Sequence, residues 1–366
     1  MAAAATPNTE SYDSAKDVME FEDSKTGIKG LVDSGITTIP RFFIHPPETL
    51  SELKPKSTTL PDPQLTIPTI DLSGLRSTIL EKIARASREL GLFQIINHGI
   101  EVEFLERMIG GIKGFHEQPA EIKARLYRRD FNGVSYFSDF NLLRSKAANW
   151  RDTLQVNVGP SMPELDEIPE ICRREVVEWN QKVTKLGEVL MELLCEGLRV
   201  DKEKSKELKF LEGRMMVGHY YPYCPQPDLT VGNAPHTDPA SLAILLQDQR
   251  SGLQVNIGEE WVDVKPIPGA LIVIIGDLFQ IMSNDEYKSP KHRVLANLSR
   301  EPRISTVQFF YPSDWDSFYG PFTELITAEN GARFRQFTYK DYFERSFTKK
   351  KDEKSLIDYY RLSNTL

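Results

Sequence analysis

Between Met215 and Tyr311 the chain is a succession of short β-rich segments, MMVGHYY, LAILLQD, GLQVNI, WVDVKP, ALIVII, HRVLANL and RISTVQFFY. Val, Ile, Phe and Tyr suit a pleated, half-buried surface, and Gly252, Gly258, Pro268-Gly269 and Asn284-Asp285 supply turns between the segments. Strands this short at this spacing predict an all-β sandwich or barrel. Upstream, Ile79, Ile83, Ala86 and Leu90 share one helical face, as do Phe104, Leu105, Met108, Ile112 and Phe115, with the strand-like GLFQIINHGI between them. Val183, Leu186, Leu190, Leu193 and Leu194 mark a long amphipathic helix, and FTYKDYFERSFTKKK predicts a last one. The fold class expected is mainly β with flanking helices.

The first sixty or so residues are polar and turn Pro-rich in IHPPETL and LKPKSTTLPDP, which predicts an extended arm ending near Leu65. The expected divisions are an arm over 1–64, a helical region over 65–200, the β core over 211–313 and a helical segment over 314–366.

A formal net charge of -8 argues against a nucleic-acid partner, because binders of the phosphate backbone usually carry a basic stripe. The longest apolar run, Ala270 to Ile275, falls far short of the roughly 20 residues that span a bilayer. The N-terminus lacks a basic segment followed by an apolar one, so no membrane partner and a cytoplasmic location are expected. Cys172, Cys195 and Cys224 are too scattered for a disulfide framework and read as free thiols. The absence of an obvious apolar seam favours a monomer.

His236 and Asp238 stand two residues apart at the mouth of an apolar strand, where buried polar groups require compensation by a charge or a metal. At i and i+2 of an extended segment both reach the same side, and His292 opens a later strand that a barrel can bring alongside. Two imidazoles and one carboxylate on one face of an octahedron leave three adjacent positions open, which suits non-haem Fe(II) and oxygen. Arg303 lies eleven positions beyond His292, with Ser305 at i+2 on the same face. An inward guanidinium there needs an anion, and a dicarboxylate cosubstrate supplies one through paired hydrogen bonds. Taken singly, His292 is more readily a strand residue and Arg303 a solvated charge; together they form a set.

HTD, a distant His and RIS together resemble the plant 2-oxoglutarate- and Fe(II)-dependent dioxygenases, and GLFQIINHGI, HYYPYCPQPDLTVG, SGLQV and PGALIVIIGDLFQIMSND look like recurring blocks of that family. GIKGLVDSGITTIPRFFIHPP is similar to the N-terminal arm of the 1-aminocyclopropane-1-carboxylate oxidase homologue group, in which deacetoxyvindoline 4-hydroxylase and the benzoxazinoid dioxygenases are similar members. The resemblance implies a double-stranded β-helix (jelly-roll) core behind a helical N-terminal region. It implies that His236, Asp238 and His292 bind Fe(II), and that Arg303, Ser305 and Tyr221 bind 2-oxoglutarate. It further implies O2 as oxidant, ascorbate as reductant and hydroxylation of a small specialised metabolite such as an alkaloid or benzoxazinoid, with succinate and CO2 released. Thr237, Phe309 and Tyr311 resemble substrate-facing positions, and Leu242, Ile244 and Leu246 are candidate walls that exclude water.

Three features depart from the family pattern: His219 where many members have Asn, Tyr223 within the Pro-Cys-Pro segment, and Arg250-Ser251 before GLQV. His98 and His116 lack ligand-like neighbours and read as structural, and Trp150-Arg151-Asp152 reads as a packing and ion-pair unit at the pocket edge. The alternatives are a 2-oxoglutarate-independent oxidase of the 1-aminocyclopropane-1-carboxylate oxidase type, a zinc hydrolase, and a non-catalytic metal-binding β-barrel module.

Overall fold

A computed structural model of the chain describes residues 14–53, 66–130, 132–140, 142, 147–258, 260–348 and 355–362. Its strands are β1 Thr69–Asp71, β2 Leu92–Ile96, β3 Val134–Phe137, β4 Asp152–Gly159, β5 Gly213–Tyr221, β6 Val231–His236 and β7 Leu242–Gln247. They continue as β8 Leu253–Ile257, β9 Glu260–Asp263, β10 Leu271–Ile275, β11 His292–Leu295, β12 Arg303–Tyr311, β13 Phe318–Tyr319 and β14 Phe337–Thr338. Among the described residues, eight strands form one sheet in the order β1-β2-β10-β7-β12-β5-β4-β3, and four form a second in the order β6-β11-β8-β9. Every neighbouring pair is antiparallel except β1 and β2.

Strand alternation gives the large sheet two apolar faces. Val217, Tyr221, Ala243, Leu245, Ile272, Ile274 and Val307 meet Leu253, Val255 and Val294 of the small sheet, closing a jelly-roll interior. Ile244, Leu246, Val273, Ile275, Ile304 and Phe310 face the other way, into a larger cluster built with helices. Those helices are α4 (Arg76–Glu89), α5 (Val102–His116) and α7 (Glu170–Gly197). In α7, Val176, Trp179, Val183, Leu186 and Leu190 recur at three or four residues and are buried. None of the described helices is long and apolar enough to cross a membrane.

Two differences from the sequence reading stand out. Strand β2, foreseen in GLFQIINHGI, and β4, which was not, both lie in the region expected to be helical and pair with β10 and β5, so the barrel draws strands from both sides of residue 200. The expected extended arm is instead largely helical, with α1 (Ser14–Ser24), α2 (Gly27–Asp33) and α3 (Pro47–Leu53), while the boundary near Leu65 lies outside the described residues. Val18, Phe21, Ile28, Phe42 and Phe43 bury themselves against Leu142, Trp150, Cys224 and Ala296. Apolar anchors at that frequency draw the segment down onto the barrel despite its polar composition.

A buried carboxylate fastens the arm. Asp152, at the start of β4, accepts hydrogen bonds from the backbone N–H groups of Ile28 and Lys29 at 2.9 Å each, and from Ser138 Oγ at 2.7 Å. It thus satisfies the first turn of α2, whose N–H groups have no partner inside the helix. Gly27 permits this approach: its φ is +71°, and a Cβ there would sit 2.7 Å from an Asp152 carboxylate oxygen. The remaining helices are α6 (Ala120–Lys123), α8 (Glu203–Glu207), α9 (Asp277–Met282), α10 (Tyr339–Thr348) and α11 (Leu356–Tyr360). The last three residues of the expected terminal helix, 349–351, lie outside the described residues.

The two histidines read as structural each bond a carbonyl: His98 Nε2 lies 2.9 Å from Gly269 O, and His116 Nε2 3.0 Å from Gly218 O. Burial depresses His116 from 6.5 to about 3. Its folded-state value lies below its unfolded one, so its neutral form supports the fold above about pH 6.5, and that support is lost as pH falls toward 3. We expect the unfolding free energy to fall by up to about 1.4 kcal/mol per pH unit below that point from this residue alone. His116→Gln should flatten that slope in urea titrations at successive pH values. Asp152→Ala should cost about 2–4 kcal/mol by leaving buried N–H groups unpaired, and limited proteolysis should then cut first within residues 14–53.

Candidate metal centre

The geometry of the centre follows from strand pairing. His292, the first residue of β11, lies directly opposite His236, the last residue of β6, and their ring centroids are 4.2 Å apart. Asp238 follows two residues on, with Oδ1 3.6 Å from His236 Nε2 and 3.7 Å from His292 Nε2. One donor atom from each residue lies within 4.8 Å of the other two, a spacing that one ion can bridge.

Both imidazoles are held in the form a metal requires. His236 Nδ1 stands 2.8 Å from Ala234 O, and His292 Nδ1 3.1 Å from Pro290 O. A carbonyl only accepts, so each Nδ1 carries the hydrogen and each Nε2 turns a lone pair toward Asp238. Asn233 Nδ2 makes a long contact of 3.4 Å with His236 Nε2. Burial, reinforced by the nearby His292, holds His236 well below the ordinary histidine range, so it stays neutral. Burial raises Asp238, with His292 and Arg151 opposing, which is the condition of a carboxylate short of a cation. The His236 side chain keeps 33% of its surface exposed against 4% for Asp238, so the centre opens along the His236 edge.

A second layer of hydrogen bonds fixes the loop that carries Asp238. Asp277, which opens α9, donates its N–H to Asp238 O at 2.8 Å, and its Oδ2 accepts from Thr237 Oγ1 at 3.0 Å and Tyr342 Oη at 2.8 Å. Tyr339 Oη donates to Pro239 O at 2.7 Å, so α10 holds both ends of the turn. Burial pushes the Asp277 carboxyl up to about 6 against the pull of these hydroxyls. Thr237, expected to face substrate, has its hydroxyl committed to Asp277. This layer was not foreseen; the only hint was a charged residue beginning a helix just after an apolar strand.

Arg303 and Ser305 lie on the barrel-facing side of β12, each about 1% exposed, opposite Tyr221 and His219 of β5. Arg303 Nη2 donates to Gln247 Oε1 at 2.8 Å, and Nε donates to Arg250 O at 3.2 Å. Nη1 is buried with no partner, and the guanidinium forms no ion pair among the described residues. The Tyr221 ring centroid lies 5.1 Å from the guanidinium carbon. Gly252, at φ +145°, leaves room for the arginine, since a Cβ there would stand 3.3 Å from Arg303 Cδ. A buried cation with one nitrogen unsatisfied is stable only if an anion joins it, and a carboxylate has the matching geometry. The donor set therefore fits both groups that the sequence implied, a ferrous ion at the triad and a dicarboxylate at Arg303.

The departures from the family pattern fall around this chamber. His219 bonds Thr153 Oγ1 through Nδ1 at 3.0 Å and is held well below its ordinary pKa, first by burial and then by the charge of Arg151. Arg250 lends its carbonyl to Arg303, and the Tyr223 ring carries the Arg300 guanidinium at 4.2 Å.

Three expectations are corrected. Leu242, Ile244 and Leu246 face the helices, whereas Ala243, Leu245 and Gln247 face the barrel interior, because strand alternation assigns the opposite parity. Phe309 packs at the inner cluster, but Tyr311, at the end of β12, packs with the outer one and stacks on Tyr339 at 6.0 Å. Trp150 is buried against Phe43 as expected, yet Arg151 and Asp152 form no ion pair: Asp152 is satisfied by backbone N–H groups and Ser138, and Arg151 makes no ion pair among the described residues.

Comparison with known proteins agrees with this geometry. Residues 212–312 match the model of the 2OG-Fe(II) oxygenase superfamily, and residues 67–175 match the N-terminal region of non-haem dioxygenases in morphine synthesis. The chain is 46% identical over 336 residues to 1-aminocyclopropane-1-carboxylate oxidase homolog 4 of Arabidopsis thaliana, covering 91% of this chain and 94% of that protein. It is 40% identical over 366 residues to deacetoxyvindoline 4-hydroxylase of Catharanthus roseus, covering 96% and 90%. A crystal structure of JOX2 in complex with 2OG, Fe and JA superimposes with a TM-score of 0.79 at 28% identity, over 92% of this chain and 98% of that one.

Removing the carboxylate and loosening its support should have separable effects. Asp238→Ala should abolish stoichiometric binding of Fe(II) or Co(II) in calorimetry. Tyr342→Phe, which touches no donor atom, should weaken binding by roughly tenfold, since outer hydrogen bonds of this kind typically contribute 10- to 100-fold.

Proposed function

Since the chain belongs to the 2OG-Fe(II) oxygenase superfamily and is an Fe(II)- and 2-oxoglutarate-dependent dioxygenase of plant type, we propose that it hydroxylates a small specialised metabolite and releases succinate and CO2. The class of metabolite proposed is an alkaloid, a benzoxazinoid or a similar ring system. A relative 40% identical is named for hydroxylating deacetoxyvindoline, and the neighbour superimposed above holds JA. In this reading His236, Asp238 and His292 hold the iron, Arg303 and Ser305 bind the far carboxylate of 2-oxoglutarate, and Tyr221 gives that carboxylate a phenolic hydrogen bond.

The observation that carries the proposal is the buried, unpartnered Nη1 of Arg303 on the same barrel interior as the triad. A metal-binding module would need no such cation, and neither would a zinc hydrolase.

Bound together in the site, iron, 2-oxoglutarate and O2 supply the oxidation, one oxygen atom going to the substrate C–H bond and the other to succinate. The protein contributes placement. Hydrogen bonds to Ala234 O and Pro290 O place the hydrogen of each imidazole on Nδ1 and leave each Nε2 turned inward as a ligand atom. Gln247 and the Arg250 carbonyl hold the guanidinium in place with its carbon 5.1 Å from the Tyr221 ring centroid, which limits the direction from which a carboxylate is gripped. Val217, Ala243, Leu245, Val307 and Phe309 make the surrounding wall apolar, excluding water and strengthening these polar contacts.

Purified protein given Fe(II), ascorbate, 2-oxoglutarate and a plant metabolite extract should form succinate in step with a product heavier by one oxygen. Arg303→Ala should raise the 2-oxoglutarate concentration for half-maximal succinate by roughly 100-fold, the loss expected for charge-assisted bonds worth about 1.5–3 kcal/mol each. Its metal affinity should match the wild type. An unchanged 2-oxoglutarate requirement would reject the assignment of Arg303.

A further inference from the structure

Arg151 lies between Asp152, which fastens the N-terminal arm, and Asn149, which bonds the strand ending in His236. Its neighbours anchor it firmly. Trp150 donates its backbone N–H to Val231 O at 2.8 Å, and Asn149 Oδ1 accepts from Ala234 N at 2.7 Å, so residues 149–152 run alongside the strand that ends in His236. Trp150 is buried in the cluster that holds the arm, and Asp152 is buried at the start of α2. β4 begins at Asp152, whose carboxylate is turned toward the arm, so Arg151 lies on the opposite side of the chain from Asp152.

No acidic side chain among the described residues pairs with Arg151. Its side chain makes no hydrogen bond or ion pair among the described residues, and its Nε is buried without a partner. Thr153, two residues on, bonds His219 Nδ1 at 3.0 Å inside the barrel, and, after burial, the charge of Arg151 is among the causes that hold His219 below its ordinary pKa. Charge counting sharpens the point. With the site loaded, the dication and Arg303 balance Asp238 and the dianionic cosubstrate, so none of these groups is left to pair with Arg151.

We propose that Arg151 is a substrate-binding residue and that the metabolite oxidised here carries an anionic group, a carboxylate, which the Arg151 guanidinium grips while the target C–H bond faces the iron. The inference rests on the dioxygenase reading above and narrows it. A half-buried guanidinium fork against an apolar wall selects a carboxylate over an amide or ester of the same shape, because only the anion gains paired charge-assisted hydrogen bonds. Phe309 of the inner cluster offers an apolar surface for the rest of such a molecule.

The test uses the full-length protein loaded with Zn(II) in place of iron, so that no turnover intervenes, and saturated with 2-oxoglutarate. Dissociation constants are measured by ligand-observed NMR for benzoate, cinnamate, indole-3-carboxylate and cyclohexanecarboxylate, each beside its primary amide. Wild type should bind at least one carboxylate about tenfold more tightly than its amide, the effect of one charge-assisted contact. Arg151→Gln and Arg151→Met should both erase that preference without weakening 2-oxoglutarate, and Arg151→Lys should keep part of it. The proposal is overturned if no carboxylate is preferred, if the preference survives in both neutral variants, or if those variants weaken 2-oxoglutarate instead. Failure of the Zn(II)-loaded wild type to bind 2-oxoglutarate at all would strike the dioxygenase reading rather than the role of Arg151.

Discussion

His292 faces His236 across β6 and β11, and Arg303 and Ser305 face Tyr221 and His219 across β5 and β12, so the polar groups of the barrel interior are placed by strand register. A slip of one residue in β12 would turn Ile304 and Thr306 inward and push the guanidinium into the helix-facing cluster. The same slip in β11 would separate the two imidazoles. Register is set by the apolar alternation of the central strands, where Ala243 and Leu245 fit one cluster and Leu242 and Ile244 the other. The chemistry of the centre thus depends in part on hydrophobic residues, Leu242 and Ile244 among them, that face away from it.

How much of this could be read from the sequence differs by kind of residue. His236, Asp238 and His292, with Arg303 and Ser305, were legible because each is a chemically expensive residue next to an apolar strand, and expense of that sort needs a reason. The facing direction of Leu242, Ile244 and Leu246 was not legible, since LAILL is apolar at every position and carries no alternation to read. Gln247 breaks that run, and its inward parity could have been inferred from it, because a buried amide also needs a partner. The support from Asp277 and Tyr342 joins residues 65 positions apart and is created by the fold alone. The arm misled for a different reason: its apolar anchors are sparse enough in the sequence to read as solvated, and only the receiving surface around Trp150 makes them a cluster.

The triplet Trp150-Arg151-Asp152 links the arm and the centre through backbone geometry. Trp150 and Asp152 are both spent on the arm, one through ring contact with Phe43 at 4.9 Å and the other through the N–H groups of α2. Because these two are fixed, the intervening residue has little freedom in where its side chain starts. The docked N-terminal helices therefore act on the site without reaching it, and disturbing Asp152 is a disturbance of Arg151 as well. This gives a physical reason for a segment of polar composition to be held against the barrel at all.

Three charged groups around the centre are short of a partner among the described residues. Arg303 Nη1 and Arg151 Nε are buried without partners, and Asp238 is a carboxylate raised by burial. Each of these costs stability relative to an apolar residue in its place. Each is also a group whose complement is small and charged: an anion for either arginine, a cation for the carboxylate. Binding then removes a cost already present in the fold, so ligands that fit should stabilise the protein as well as occupy it. The barrel wall is what makes this work, since the same three groups in water would be satisfied by solvent and would have nothing to gain.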